Sequence, residues 1–159
     1  MSGSLAIANQ QRAVRLDTRL LRSITKALLT DLLELGDFDL GVIIVRAPEM
    51  AQINQTFLQH EGSTDVITFD YVNDSPLTTH HSTFSVHGEI FICIDDAMAQ
   101  AREFRTSWQS ELARYVIHGV LHLRGYDDIR ATDRRKMKRE ENRLLKKTAR
   151  LFPLSKLGG

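Results

Sequence analysis

The sequence predicts an α+β domain: a small mixed β-sheet of about four strands packed with about five helices, with a metal site at the end of a long helix. Three observations point there. Segments of strand character and of helical periodicity run in the order β, α, β, α, β, β, α, α, α, which is neither all-α nor a strict βα alternation. The 159 residues, 42% of them hydrophobic, suffice for one core and are short for two. The helical pattern between Thr106 and Gly125 is long and carries two histidines near its end. A single domain over 1–159 follows, with its ordered part over about 5–152.

Each element has a local cause. Leu5 to Asn9 alternates weakly and reads as a first strand. In residues 17–35, Leu20, Ile24, Leu28 and Leu32 recur at four-residue spacing beside Leu21 and Leu35, with Asp17 as a cap and Gly36 as the stop. Phe38 to Arg46 is apolar and β-branched enough for a central strand. Pro48 suits the first turn of a short helix reaching about Gln59. Thr64 to Tyr71 and Val86 to Ile94 read as strands, separated by the turn formers Asn73, Asp74, Ser75 and Pro76. Asp95 or Asp96 caps a helix through Phe104, and Thr106 with Gln109 forms a capping-box pattern before the long helix. A last helix runs from about Thr132 to Leu151, and Pro153 and the final glycines end the order.

Composition excludes several classes. The longest apolar runs, Gly41 to Val45 and Ile90 to Ile94, fall far short of the roughly 20 residues of a membrane span. The start, Met1-Ser2-Gly3-Ser4, shows neither a basic leader nor a long apolar stretch, so no secretory signal is expected. Cys93 has no partner cysteine and lies in an apolar run, which excludes a disulfide, suits a reducing compartment and reads as a small buried hydrophobe. The formal charge of +1 hides a division. Residues 27–101 hold one basic side chain, Arg46, against twelve acids, whereas residues 129–152 hold ten Lys or Arg against Asp133, Glu140 and Glu141. Such a basic run is commonly a solvated helix face; behind a metal motif it also becomes a guide for a phosphate backbone, confined to one surface.

The chemistry concentrates in His118-Gly-Val-Leu-His122-Leu-Arg-Gly125-Tyr-Asp127-Asp128. Four helical residues advance about 6 Å and return to nearly the same face, so His118 and His122 can hold one ion between them. Gly125 can take a left-handed cap that turns the chain back and brings Asp128 to the imidazoles. A lone histidine on such a helix is more often structural; two at this spacing, followed by a glycine turn and a carboxylate, favour a metal. Three protein ligands leave one position open, the mark of a hydrolytic rather than a structural zinc site. The spacing matches the long zinc-protease pattern except at position 119, where glycine stands in place of the glutamate that serves those enzymes as general base. On the same helix Leu112, Tyr115, Val116, Gly119 and Leu123 form the expected buried stripe, with Glu111, His118 and His122 on a neighbouring face.

The run HGVLHLRGYDD resembles the signature of the YbeY family, the metal-dependent endoribonucleases and rRNA maturation factors of bacteria, usually His-Gly-x-Leu-His-Leu-x-Gly-Tyr-Asp-His. Ile53-Asn54-Gln55-Thr56-Phe57 followed by Ser63-Thr64-Asp65-Val66-Ile67-Thr68-Phe69 is similar to a second family stretch, and Gly88-Glu89-Ile90-Phe91-Ile92-Cys93 to the strand before the metal helix. The resemblance covers about residues 5–150. Two departures bear on chemistry: Asp128 stands where the family usually has histidine, and Leu58 where it usually has arginine. The first puts an oxygen donor on the ion, lowers the site's charge and makes it less selective for zinc over harder ions. The second removes a phosphate contact.

The resemblance implies a zinc-dependent, single-strand-specific endoribonuclease acting in rRNA maturation and ribosome quality control in the cytoplasm. One Zn2+ per chain, or another divalent ion, would be held by His118, His122 and Asp128, which act in catalysis through it. Asp127 competes with Asp128 for the third ligand role, the spacing alone favouring Asp128; it is otherwise a candidate base or orienting group, a turn role being as good a reading, and Arg124, Arg130, Arg134 and Arg135 are candidate phosphate contacts. Partners would be ribosomal RNA and the small ribosomal subunit, with no membrane and no DNA. An alternative from another class is a metal-stabilised ribosome-assembly factor that binds rRNA or the small subunit without cutting. A metallopeptidase, lacking its base at Gly119, comes third. His60 and Glu61 could in part replace the absent arginine, though solvated loop roles fit them better; His80, His81 and His87 read as surface residues.

Overall fold

The computed structural model describes residues 2–58, 65–71 and 85–158. Strand β1 (Ser2–Asn9) is followed by helix α1 (Thr18–Ala27), strand β2 (Asp37–Val45), helix α2 (Ala47–Ile53), strands β3 (Val66–Asp70) and β4 (Ser85–Cys93), and helices α3 (Ile94–Phe104), α4 (Trp108–Leu123) and α5 (Ala131–Leu151). The sheet order is β1-β2-β4-β3. β1 and β4 both run parallel to β2, and β3 pairs antiparallel with β4, so the sheet is mixed and the fold is α+β, with four strands and five α-helices among the described residues, as expected.

Strand alternation divides the core between the two sheet faces. Leu40, Val42 and Ile44 of β2 and Ile90 and Ile92 of β4 join the large cluster with Leu21 and Ile24 of α1, Leu28 just beyond it, the apolar side of α4, and Met137 and Leu144 of α5. Ile43, Val45 and Cys93 point the other way, onto Met50 of α2 and Ile67 of β3. Leu40 and the run Val42 to Val45 are buried because β2 lies between two strands and is covered on both faces, which is why it reads as an apolar run rather than an alternation.

Several local expectations shift. Asp17 caps α1, its carboxylate accepting from the Leu20 amide at 3.0 Å. The helix then widens into a π turn, Leu28–Leu32, and the left-handed residue that ends it is Glu34 at φ 51°, not Gly36. Cys93 is the N-cap position of α3, so Asp95 and Asp96 lie in its first turn, where Asp95 binds the Ala47 amide at 2.7 Å and Arg46. The cap of α4 is Ser107, whose hydroxyl accepts from the Ser110 amide at 3.1 Å. Left-handed Arg105 ends α3, with the Thr106 amide closing on Ala101 O at 2.9 Å, and the cap of α4 falls one residue later than expected. Beyond Pro153 the chain does not trail off: Leu154–Gly158 forms a 3-10 turn, Leu157 is fully buried, and its carbonyl accepts from the Asp17 amide at 2.8 Å. The expected turn formers Asn73 to Pro76, and His60, Glu61, His80 and His81, lie outside the described residues.

Helix α4 is the centre of the molecule. β3, β4, α3, α5 and the C-terminal turn all pack on it, and it buries Glu111, Ala113, Ile117, Val120 and Leu121 besides the expected stripe. Among its residues from Glu111 on, only Arg114, His118 and His122 keep partial exposure, one turn apart along a single open line.

Candidate metal centre

The open line of α4 faces the turn that ends the helix. Gly125 has φ 101°, the Tyr126 amide returns to Leu121 O at 3.0 Å, and the chain doubles back. That reversal carries Asp128 to the histidines. His118 Nε2 and His122 Nε2 stand 3.1 Å apart, and Asp128 Oδ2 lies 3.5 Å from His122 Nε2 and 3.9 Å from His118 Nε2. Among the described residues, these three are the one group of histidine, cysteine and carboxylate side chains whose ligand atoms all lie within 4.8 Å of one another.

The partners of the other ring nitrogens determine what faces the gap. His122 Nδ1 lies 3.1 Å from Tyr126 O, a group that only accepts, so Nδ1 carries the hydrogen. His118 Nδ1 lies 3.5 Å from Glu141 Oε1. Burial would raise the Glu141 carboxyl, but the His118 ring, Lys138 and Arg114 outweigh it and hold it below the usual range, so the group is an ionised acceptor. In neutral rings with the hydrogen on Nδ1, both Nε2 atoms would present lone pairs to each other and to the Asp128 carboxylate. Three electron-pair donors at such distances repel unless a cation stands between them. Two nitrogens each about 2.0–2.1 Å from a tetrahedral zinc would be roughly 3.3 Å apart, close to the spacing seen. The donor set therefore fits a divalent ion.

Asp127 is exposed, and its Oδ1 closes a tight turn by accepting from the Ile129 amide at 3.0 Å. His87 sits on β4 with Nε2 2.8 Å from Asp37 Oδ2 and is not part of the donor group. The centre opens into a cleft of about 810 Å3 between α5 and the α3–α4 junction. Arg134, Arg135 and Lys138 of α5 line it, facing Asp65, Glu111 and Tyr115 across the gap. Burial, reinforced by Asp65, Glu111 and Asp96, pushes the Tyr115 phenol up, so it stays a donor. Arg124 and Arg130 are not among the cleft's lining residues. Leu58 lies at the end of the π turn following α2.

Sequence reading missed Glu141 and Arg114. Glu141 was counted only as an acid in a basic run, yet Met137, Glu141, Leu144 and Thr148 occupy the buried positions of α5. A carboxylate at a core position of an amphipathic helix was the available signal. For Arg114, one turn before His118 on the same open line, the helical spacing was the signal.

The family model for endoribonuclease YbeY matches residues 6–149 of this chain. Proteins named endoribonuclease YbeY are similar to it along most of their length: that of Alkaliphilus metalliredigens is 28% identical, over 91% of this chain and 95% of its own. That of Syntrophotalea carbinolica is 34% identical, over 89% and 93%. A solution structure of a Thermotoga maritima protein superposes with a TM-score of 0.63 at 28% identity, covering 91% of this chain and 88% of that one. The metal-ready donor triad, the mixed four-stranded sheet beneath it and these matches place the chain in one family, that of the YbeY endoribonucleases.

Proposed function

We propose that this endoribonuclease is zinc-dependent and specific for single strands, and that it acts in maturation of ribosomal RNA and quality control of ribosomes in the cytoplasm. The observation that carries the metal dependence is the convergence of His118 Nε2, His122 Nε2 and Asp128 Oδ2 at the end of a cleft with a basic wall. In this reading those three residues hold one divalent ion, whose chemistry is Lewis-acid stabilisation of the charge that builds on a phosphodiester oxygen.

The chain's own residues supply the rest. Arg134 and Arg135 line the cleft beside His118 and Asp128, and there they would draw in and align the phosphate backbone. Arg124 and Arg130 would act, if on RNA at all, beyond the cleft. Gly119 has no side chain to move a proton, so Asp127, next to Asp128 in the chain and exposed to solvent, is the acid–base candidate. The acidic middle of the sequence would keep RNA to this one surface. No helix among the described residues is long and apolar enough to cross a membrane. Ribosomal RNA and the small subunit are the proposed partners, and no DNA substrate is proposed.

The test is incubation of the purified protein with an rRNA precursor, with a duplex of the same sequence and with a generic peptide, with and without chelator, beside His122→Ala. Chelator-sensitive cutting of unpaired RNA, absent in the variant, supports the reading. Retained RNA binding with no cutting would point instead to the assembly-factor alternative. Near-zero content of every divalent ion in protein purified without chelator would overturn the metal dependence.

A further inference from the structure

We propose that Glu141 is a positioning residue of the metal centre: its carboxylate holds His118 in the Nδ1–H form and fixes the ring's rotation, so that Nε2 faces His122 and Asp128. The inference rests on the metal-dependent reading above and deepens it by naming what assembles the site.

The two histidines are held in different ways. His122 Nδ1 faces Tyr126 O at 3.1 Å, an acceptor delivered by the turn that ends its own helix. His118 sits one turn earlier, and its Nδ1 faces Glu141 Oε1 at 3.5 Å, on the next helix. Glu141 is only 4% exposed and occupies a core position of α5 between Met137 and Leu144. A buried carboxylate is costly unless its oxygens are matched by donors. Here the two oxygens are divided. Oε2 faces Arg114 Nη1 at 3.6 Å and Lys138 Nζ at 3.5 Å, leaving Oε1 for the imidazole. Arg114 is itself anchored, donating to Asn142 Oδ1 at 2.8 Å and lying 3.8 Å from Glu111 Oε2. The carboxylate is thus fixed on one side by cations and presents its other side to His118.

A carboxylate behind a ligating imidazole sets the tautomer and strengthens the donor nitrogen, and its loss typically costs about 10–100-fold in metal affinity. Docking of α5 on α4 therefore completes a site that α4 and its terminal turn supply only in part. Glu141 touches no reacting atom and is not a catalytic residue.

The experiment is a zinc competition titration of the unsubstituted protein, Glu141→Gln and Glu141→Leu, combined with imidazole nitrogen NMR of the metal-free unsubstituted protein. Glu141→Leu is expected to lose about 10–100-fold in zinc affinity, and Glu141→Gln, which keeps an acceptor oxygen, markedly less. The spectrum should show the His118 proton on Nδ1. A purely structural role would lower the stability of the variants while leaving zinc affinity alone. The proposal is overturned by a folded Glu141→Leu with zinc affinity within about twofold of the parent, or by a His118 proton on Nε2. The spectrum needs no variant, so it decides even if Glu141→Leu does not fold. Zinc binding by the unsubstituted chain tests the proposed function separately, so the two readings fail on different measurements.

Discussion

Gly119 of α4 lies so close to Ile90 of β4 that a Cβ at position 119 would stand 2.8 Å from both Cδ1 and Cγ2 of that side chain. Ile90 is fully buried at the middle of the sheet, so a shift of its side chain would disturb the core around it. The glycine that departs from the zinc-protease pattern is therefore a packing residue. It lets α4 lie directly on the strand beneath it.

Gly119→Ala should accordingly destabilise the fold although alanine is the better helix former. Overpacking a core costs about 1–3 kcal/mol, and the gain in helix propensity returns about 1 kcal/mol, leaving a net loss on the order of 1 kcal/mol. Urea unfolding measures it, and a variant as stable as its parent would show that α4 can lift off β4 freely. Gly119→Glu, which restores the protease pattern, should fail to fold by circular dichroism rather than acquire peptidase activity.

Removing an imidazole donor should abolish metal-linked stability. At a free zinc concentration 100 times its dissociation constant, a bound ion stabilises the folded state by about 2.7 kcal/mol. His122→Ala and Asp128→Ala should lose that increment, and with it RNA cutting, while remaining folded in chelator. Thermal unfolding with and without zinc reads this directly; an unchanged zinc-induced shift in both variants would remove the triad from the metal site.

The charged wall of the cleft should act on RNA but not on the ion. Arg134→Ala with Arg135→Ala should weaken binding of unpaired RNA and lower the slope of log K against log salt by about 1.4, two phosphate contacts at roughly 0.7 each. Zinc affinity should stay unchanged. Arg130→Ala, outside the cleft lining, serves as the comparison; an equal effect there would mean that the backbone runs elsewhere.

Burial pushes the Cys93 thiol up to about 11 from an ordinary 9.0. In the unfolded chain the thiol ionises first, so the folded state keeps its full stability below about pH 9 and loses this contribution as the pH rises through about 11. At pH 8, thiol reagents should label Cys93 only on unfolding. Rapid labelling of the native protein would show that the α2 side of the sheet opens readily.

Much of what depends on near neighbours in the chain was legible in the sequence alone. The spacing of His118 and His122, the left-handed turn at Gly125 and the return of Asp128 all lie within eleven residues, where helix geometry and glycine's freedom dictate the outcome. The same holds for the apolar run of β2 and the Asp17 cap. The shifted cap at α3 was less legible, because Asp95 is drawn to Ala47 and Arg46, far away in sequence.

The tertiary structure alone decided which of the many charged residues belong to the site. Ten basic residues crowd the C-terminal segment, and nothing in their order separates Arg134 and Arg135, which line the cleft, from Arg130, which does not. Glu141 meets His118, and Gly119 meets Ile90, only once α5 and β4 have packed against α4. The physical reason is that side-chain spacing along one helix is fixed by its backbone hydrogen bonds, whereas contacts between elements follow from how a whole core excludes water.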